Sequence, residues 1–205
     1  MLVLFDLDGT ILDSLDAWAL AYRKAVHPRE LTDEEIVGDF FHASPESLAR
    51  HGITNVGEFY RLVHLFLEEN SHMQTVAIDA EEALGELEKK GHTLGILTAR
   101  SKKIATVNLP PQLLSKFKIV IDRDDAPPKP RPDGVFKACK DTGIPISETV
   151  LVGDHPIDAG CAESAGIPFL LYKPDNHVFR SHRELLHLKS FSSFEELPGI
   201  ISRFG

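Results

Sequence analysis

Leu2-Val3-Leu4-Phe5-Asp6-Leu7-Asp8-Gly9-Thr10 opens the chain with an apolar run that ends in two carboxylates and a glycine. Near-continuous apolar residues suit a strand buried on both faces, as in a parallel sheet. Asp6 and Asp8 are two apart, so on extended backbone their side chains point the same way. Held together, two carboxylates raise each other's pKa unless a cation intervenes. Gly9 then lets the chain turn away close to them.

Other runs of strand length follow: Thr93 to Thr98, Phe117 to Ile121, Thr149 to Gly153 and Ile167 to Tyr172. Helical patterns lie between them, over Asp79 to Lys90, Asp133 to Thr142 and Pro156 to Ala165. Pro156 suits a first helical position, and Gly91, Gly143 and Gly166 are stops. Strands alternating with helices predict right-handed crossovers and an α/β doubly wound parallel sheet.

The stretch from about Ser14 to Gln74 breaks the alternation. It reads as helical without a good strand, with Trp18, Tyr22 and Val26 on one face and Phe59, Leu62, Val63 and Phe66 on another. A helical module inserted after the first strand is expected at 14–75, leaving 1–13 and 76–205 as the core. The tail from Asn176 carries weak helical signals, including Phe194 to Phe204, and is expected to pack on the sheet edge.

The 205 residues carry a formal net charge of −9, with 42% hydrophobic and 26% charged residues. That is the balance of a globular protein, and it argues against duplex DNA or an anionic membrane as the main partner. Cys139 and Cys161 read as buried thiols, consistent with a reducing compartment. No basic n-region or long apolar stretch marks the N-terminus, so a cytoplasmic location is the expectation. Oligomeric state is left open.

In an open α/β sheet, ligands bind beyond the carboxyl ends of the strands. After the successive strands come Asp6 and Asp8, then Thr98-Ala99-Arg100, then Asp122-Arg123-Asp124-Asp125 with Lys129 beyond, then Asp154 and Asp158. Hard oxygen ligands without clustered His or Cys favour magnesium. A carboxylate can act as a covalent nucleophile, and its neighbour can protonate a leaving oxygen and later activate water. A phosphoryl group in transfer needs fixed positive charge and donors around it, for which Lys129 and Thr98 are the candidates. Pro128 and Pro130 restrict the backbone on either side of Lys129.

In order, Asp6-Leu7-Asp8-Gly9-Thr10, the strand-ending Thr98, Lys129 in Lys-Pro-Arg-Pro-Asp, and Gly153-Asp154-His155-Pro156-Ile157-Asp158 resemble the four motifs of the haloacid dehalogenase-like hydrolase superfamily. The resemblance covers nearly the whole chain and is nearest to the phosphoglycolate phosphatase and phosphomutase-like branch. It implies a Rossmann-like core with an inserted α-helical cap, and a Mg2+-dependent phosphatase acting on a small phosphorylated metabolite. A phosphomutase and a non-catalytic protein retaining the fold are the alternatives.

By that resemblance Asp6 is the nucleophile and a metal ligand. Asp8 is the general acid/base and reaches the metal through its carbonyl. Thr98 and the following backbone hold the phosphoryl group, Lys129 neutralises it, and Asp154 completes the metal site. Asp158 supports the metal or Lys129, although an acidic residue in a first helical turn is also favourable by itself. Gly9, Thr10, Ala99 and Arg100 are further phosphate contacts, with an exposed helix-start arginine the alternative for Arg100. Asp13 and Ser14 read as helix-capping residues. In the inserted module, Phe41, His42 and Ser44 are candidate substrate contacts, with Phe40 and Phe41 as module core the competing reading. Asp8 favours phosphate chemistry over dehalogenation. The sequence departs from the family in Ala99, where many relatives have Asn, and in His155, where a small hydroxyl residue is common.

Overall fold

The first strand is flanked on both sides by other strands, which is why every residue from Leu2 to Phe5 is fully buried. The computed structural model describes residues 1–41, 43–174, 185 and 187–204. Six parallel strands form the main sheet in the order β5-β4-β1-β6-β7-β8. They are β1 (Leu2–Phe5), β4 (Thr93–Leu97), β5 (Phe117–Ile121), β6 (Thr149–Gly153), β7 (Phe169–Tyr172) and β8 (Ser190–Phe191). From β1 the chain adds strands first on one side and then, from β6, on the other. The strand order therefore switches between β1 and β6, the place where such sheets bind ligands.

The period-two alternation of β1 sorts its side chains between two cores. Val3 and Phe5 pack in one cluster with Leu84 and Leu87 of α5 (Ala80–Lys89) and Leu197 of α10 (Leu197–Ile201). Leu2 and Leu4 pack in the other with Val135 and Ala138 of α8 (Asp133–Thr142) and Cys161 and Ala162 of α9 (Pro156–Ala165). Helices thus cover both faces, as the unbroken apolar runs require.

The described residues divide into two compact units, one drawn from 1–13, 76–174 and the described part of the tail, the other from the stretch between 14 and 75. In the second unit, α1 (Leu15–Ala25), α2 (Asp33–Glu35), a π-helical turn at Ile36–Phe40, α3 (Pro45–Arg50) and α4 (Val56–Glu69) enclose their own core. Tyr22 stacks on Phe59 with ring centroids 6.1 Å apart, and Phe40 packs against both rings. The buried row of α4 is Phe59, Val63 and Leu67. Leu62, expected on that stripe, is 37% exposed, because the i, i+4 row centred on Val63 turns it outward.

Several short elements carry too little pattern to be read from sequence. They are the paired two-residue strands β2 (Leu12–Asp13) and β3 (Thr75–Val76), and the helices α6 (Lys102–Val107) and α7 (Pro111–Leu114). β1 ends at Phe5 and β7 starts at Phe169, each short of the apolar run that announced it. The tail adds β8 beside β7, with Phe191 and Phe194 packed on Tyr172. The part of the tail over 175–184 lies outside the described residues. Among the described residues, no helix is long and apolar enough to cross a membrane.

Candidate active site

Asp6 is the first residue beyond β1, and its N–H extends the ladder to the Val152 carbonyl at 2.8 Å. Its side chain is 11% exposed. Burial holds the Asp6 carboxyl well above the usual carboxylate range. Lys129 opposes that shift, while the charges of Asp158, Asp154 and Asp8 add to it. The site therefore calls for positive charge beyond what Lys129 supplies.

Lys129 lies on the loop between β5 and α8, its side chain 8% exposed. Its ammonium donates to Asp6 Oδ1 at 2.6 Å, Asp158 Oδ1 at 2.6 Å and the Leu97 carbonyl at 3.1 Å. All three ammonium donors are thereby used. Burial alone would push the ammonium down, but the carboxylates of Asp158 and then Asp6 outweigh it and raise its pKa above the ordinary lysine value. Lys129 therefore stays protonated and bridges two carboxylates.

Asp158 serves two purposes. It occupies the first turn of α9, where Oδ2 accepts the His155 N–H at 3.2 Å in a capping box, while Oδ1 takes Lys129. One carboxylate thus makes the capping contact and holds Lys129. His155 supplies the other half of the box, its Nδ1 accepting the Ile157 N–H at 3.3 Å.

Asp154 is 3% exposed, and the fully buried Thr10 donates its hydroxyl to Asp154 Oδ1 at 3.1 Å. Thr10 therefore meets a carboxylate. Oxygens of Asp6, Asp154 and Asp158 all lie within 4.8 Å of one another. Two glycines make that approach possible. A Cβ on Gly9, at φ +75°, would lie 2.3 Å from Asp154 Oδ2, and one on Gly153 would lie 2.6 Å from Asp158 Oδ2. The donor set is small, hard and anionic. Counting Asp6, Asp8, Asp154 and Asp158 against Lys129 and Arg100, the ionised site is two negative charges in excess, which suits one divalent cation.

Asp8 does not join that group. Its carboxylate is held by Arg100, with Nε donating to Oδ2 at 2.7 Å and a terminal guanidinium nitrogen donating to Oδ1. Arg100 is 1% exposed, so it is not the exposed helix-start arginine that the sequence allowed. Its backbone N–H donates to Thr98 Oγ1 at 3.1 Å, which ties the end of β4 to the pair. Ala99, between them, is exposed.

The site residues of the second unit are placed differently. Phe41 is half-buried and packs edge-on to Tyr22 at 5.7 Å, against the core that holds Phe40. Ser44 is the N-cap of α3, its hydroxyl accepting the Ser47 N–H at 3.1 Å. His42 lies outside the described residues. Ser14 occupies the N-cap position of α1, whereas Asp13 ends β2 with its side chain exposed.

Asp122 carries a role the sequence reading missed. It is 7% exposed and accepts the N–H groups of Lys102 at 2.6 Å, Asp124 at 2.8 Å and Asp125 at 3.0 Å. Burial would raise its pKa, but these backbone donors prevail and lower it. The signal was available: Asp122 is the first polar residue after β5, the position that Asp6 and Asp154 occupy after their strands.

A family model described as haloacid dehalogenase-like hydrolase matches residues 3–172. Pyrophosphatase PpaX of Bacillus velezensis is 28% identical, over 91% of this chain and 94% of that protein. A phosphoglycolate phosphatase of Rhodobacter capsulatus is 28% identical, over 97% of this chain and 95% of that protein. A hydrolase from Pseudomonas syringae superposes with a TM-score of 0.81 at 23% identity, covering 98% of this chain and 97% of that one, a likeness of fold alone.

Proposed function

The chain belongs to the haloacid dehalogenase-like hydrolase family, and on that premise we propose that it is a Mg2+-dependent phosphatase that cleaves a small phosphomonoester through a phospho-enzyme on Asp6. The observation that carries the reading is the buried group of Asp6, Asp154 and Asp158 around Lys129, at the switch in strand order. Residues 14–75 act as the cap that selects the substrate. Relatives named for pyrophosphate and phosphoglycolate put these two compounds first in a substrate panel.

Asp6 and Asp154, with the Asp8 carbonyl, would hold the magnesium, and Asp158 stands close enough to join or support them. The bound cation supplies the charge that lets Asp6 stay ionised and offsets that of the phosphoryl group. Asp6 attacks phosphorus through a carboxylate oxygen. The bond from phosphorus to the ester oxygen breaks, and Asp8 gives its proton to that oxygen as the alcohol leaves. Asp8, now a carboxylate, takes a proton from water as the water oxygen attacks phosphorus. The bond to Asp6 breaks, inorganic phosphate departs, and both carboxyl groups return to their starting forms. Lys129 holds Asp6 and Asp158 in position, while Thr98 and the backbone after it orient the phosphoryl oxygens.

Release of inorganic phosphate from a phosphometabolite panel with magnesium, wild type against Asp6→Asn, tests the proposal. The expected result is turnover by the wild type that chelation abolishes, and neither turnover nor a hydroxylamine-labile phospho-enzyme in the variant. Full activity of Asp6→Asn refutes the mechanism.

A further inference from the structure

Asp8 faces a fork. Arg100 engages both of its carboxylate oxygens and is itself almost wholly buried, while the Asp8 side chain is 19% exposed. The arginine therefore stands behind the carboxylate, on the protein side. Its backbone is tied at both ends, the N–H to Thr98 Oγ1 and the carbonyl to the Arg123 N–H at 3.2 Å. A guanidinium keeps its charge and its planar geometry, so it fixes the direction in which a carboxylate points.

Resting on the phosphatase reading, we propose that Arg100 is a positioning residue for leaving-group protonation: its two-armed grip fixes the direction in which Asp8 faces the ester oxygen. Without Arg100 the Asp8 side chain samples several directions, and protonation of the leaving group loses its alignment.

The test uses two substrates of similar shape and different demand. The leaving group of p-nitrophenyl phosphate departs without a proton, and the more basic one of phenyl phosphate needs it. The parameter is kcat/KM, which reports formation of the phospho-enzyme. Arg100→Gln is expected to lower it by about 10- to 100-fold on phenyl phosphate, within the range a general acid contributes, and by less than about threefold on p-nitrophenyl phosphate. Arg100→Lys, which can hold one oxygen, falls between and carries the test if Arg100→Gln does not fold. In an Asp8→Asn background, Arg100→Gln adds no further loss, because it acts through Asp8.

Equal losses on the two substrates, or additive losses in the double variant, overturn the proposal while a leaving-group-selective Asp8→Asn leaves the phosphatase reading standing. An unselective Asp8→Asn removes Asp8 as the acid and the proposal with it. A wild type that turns over neither substrate counts against both.

Discussion

Replacing Lys129 with Met removes the buried ammonium and leaves Asp6 and Asp158 facing each other. The wild-type contacts are two charged hydrogen bonds of 2.6 Å on a side chain 8% exposed, so solvent screening offers little relief. Breaking a buried ion pair by deleting one partner costs about 3–5 kcal/mol, because the remaining charge is uncompensated. For a domain of this size each kcal/mol shifts the melting temperature by about 2–4 °C, so Lys129→Met is expected to melt about 6–20 °C below the wild type. The measurement is calorimetry or far-ultraviolet circular dichroism in a chelator, so that no divalent ion replaces the lost charge. Fluorescence of the lone tryptophan, Trp18, reports the other unit and cannot serve. Adding Asp158→Asn removes one of the opposed charges, so the double variant should melt above Lys129→Met alone. A shift under about 2 °C, or a double variant no more stable than the single, would show that the ammonium is not the buried counter-charge described here.

Gly153→Ala is expected to destabilise by about 1–3 kcal/mol and to impair turnover, since its Cβ would sit 2.6 Å from Asp158 Oδ2. Wild-type denaturation midpoints and kcat in that variant would contradict it. Leu67→Ala, at a position 1% exposed, should cost about 2–5 kcal/mol. Leu62→Ala should stay within about 0.5 kcal/mol, as exposed positions do, and equal losses in urea denaturation would mean that the buried row of α4 is misassigned. Burial pushes the Cys161 thiol up to about 11, so at pH 8 about one molecule in a thousand carries its thiolate. Iodoacetamide at pH 8 should label the half-buried Cys139 well before Cys161 in the folded protein and both in urea, as read by peptide mass spectrometry; equal rates in the folded state would refute the assignment.

The main strands and three helices were legible because their signals are local. Leu2–Phe5 and Thr149–Gly153 are apolar on both faces, and Asp133–Thr142 and Pro156–Ala165 combine helical patterning with a terminal glycine. The short elements were not legible, since two residues of strand or four of helix carry no periodicity. Leu62 was misplaced because the i+3 and i+7 positions of a helix also resemble a stripe until a neighbour decides where its centre lies.

The candidate site divides in the same way. The sequence by itself determined which groups collect beyond the strand ends, since Asp6, Asp8, Thr98 and Asp154 each follow an apolar run and parallel strands share one carboxyl edge. Their partners were decided only by the tertiary structure. Asp6 and Asp8, two residues apart, take different cations, Lys129 from 123 residues away and Arg100 from 92. No local pattern encodes such a choice. It is set by which cation the folded sheet brings within hydrogen-bonding reach of each carboxylate, and by the two glycines that leave room for the others.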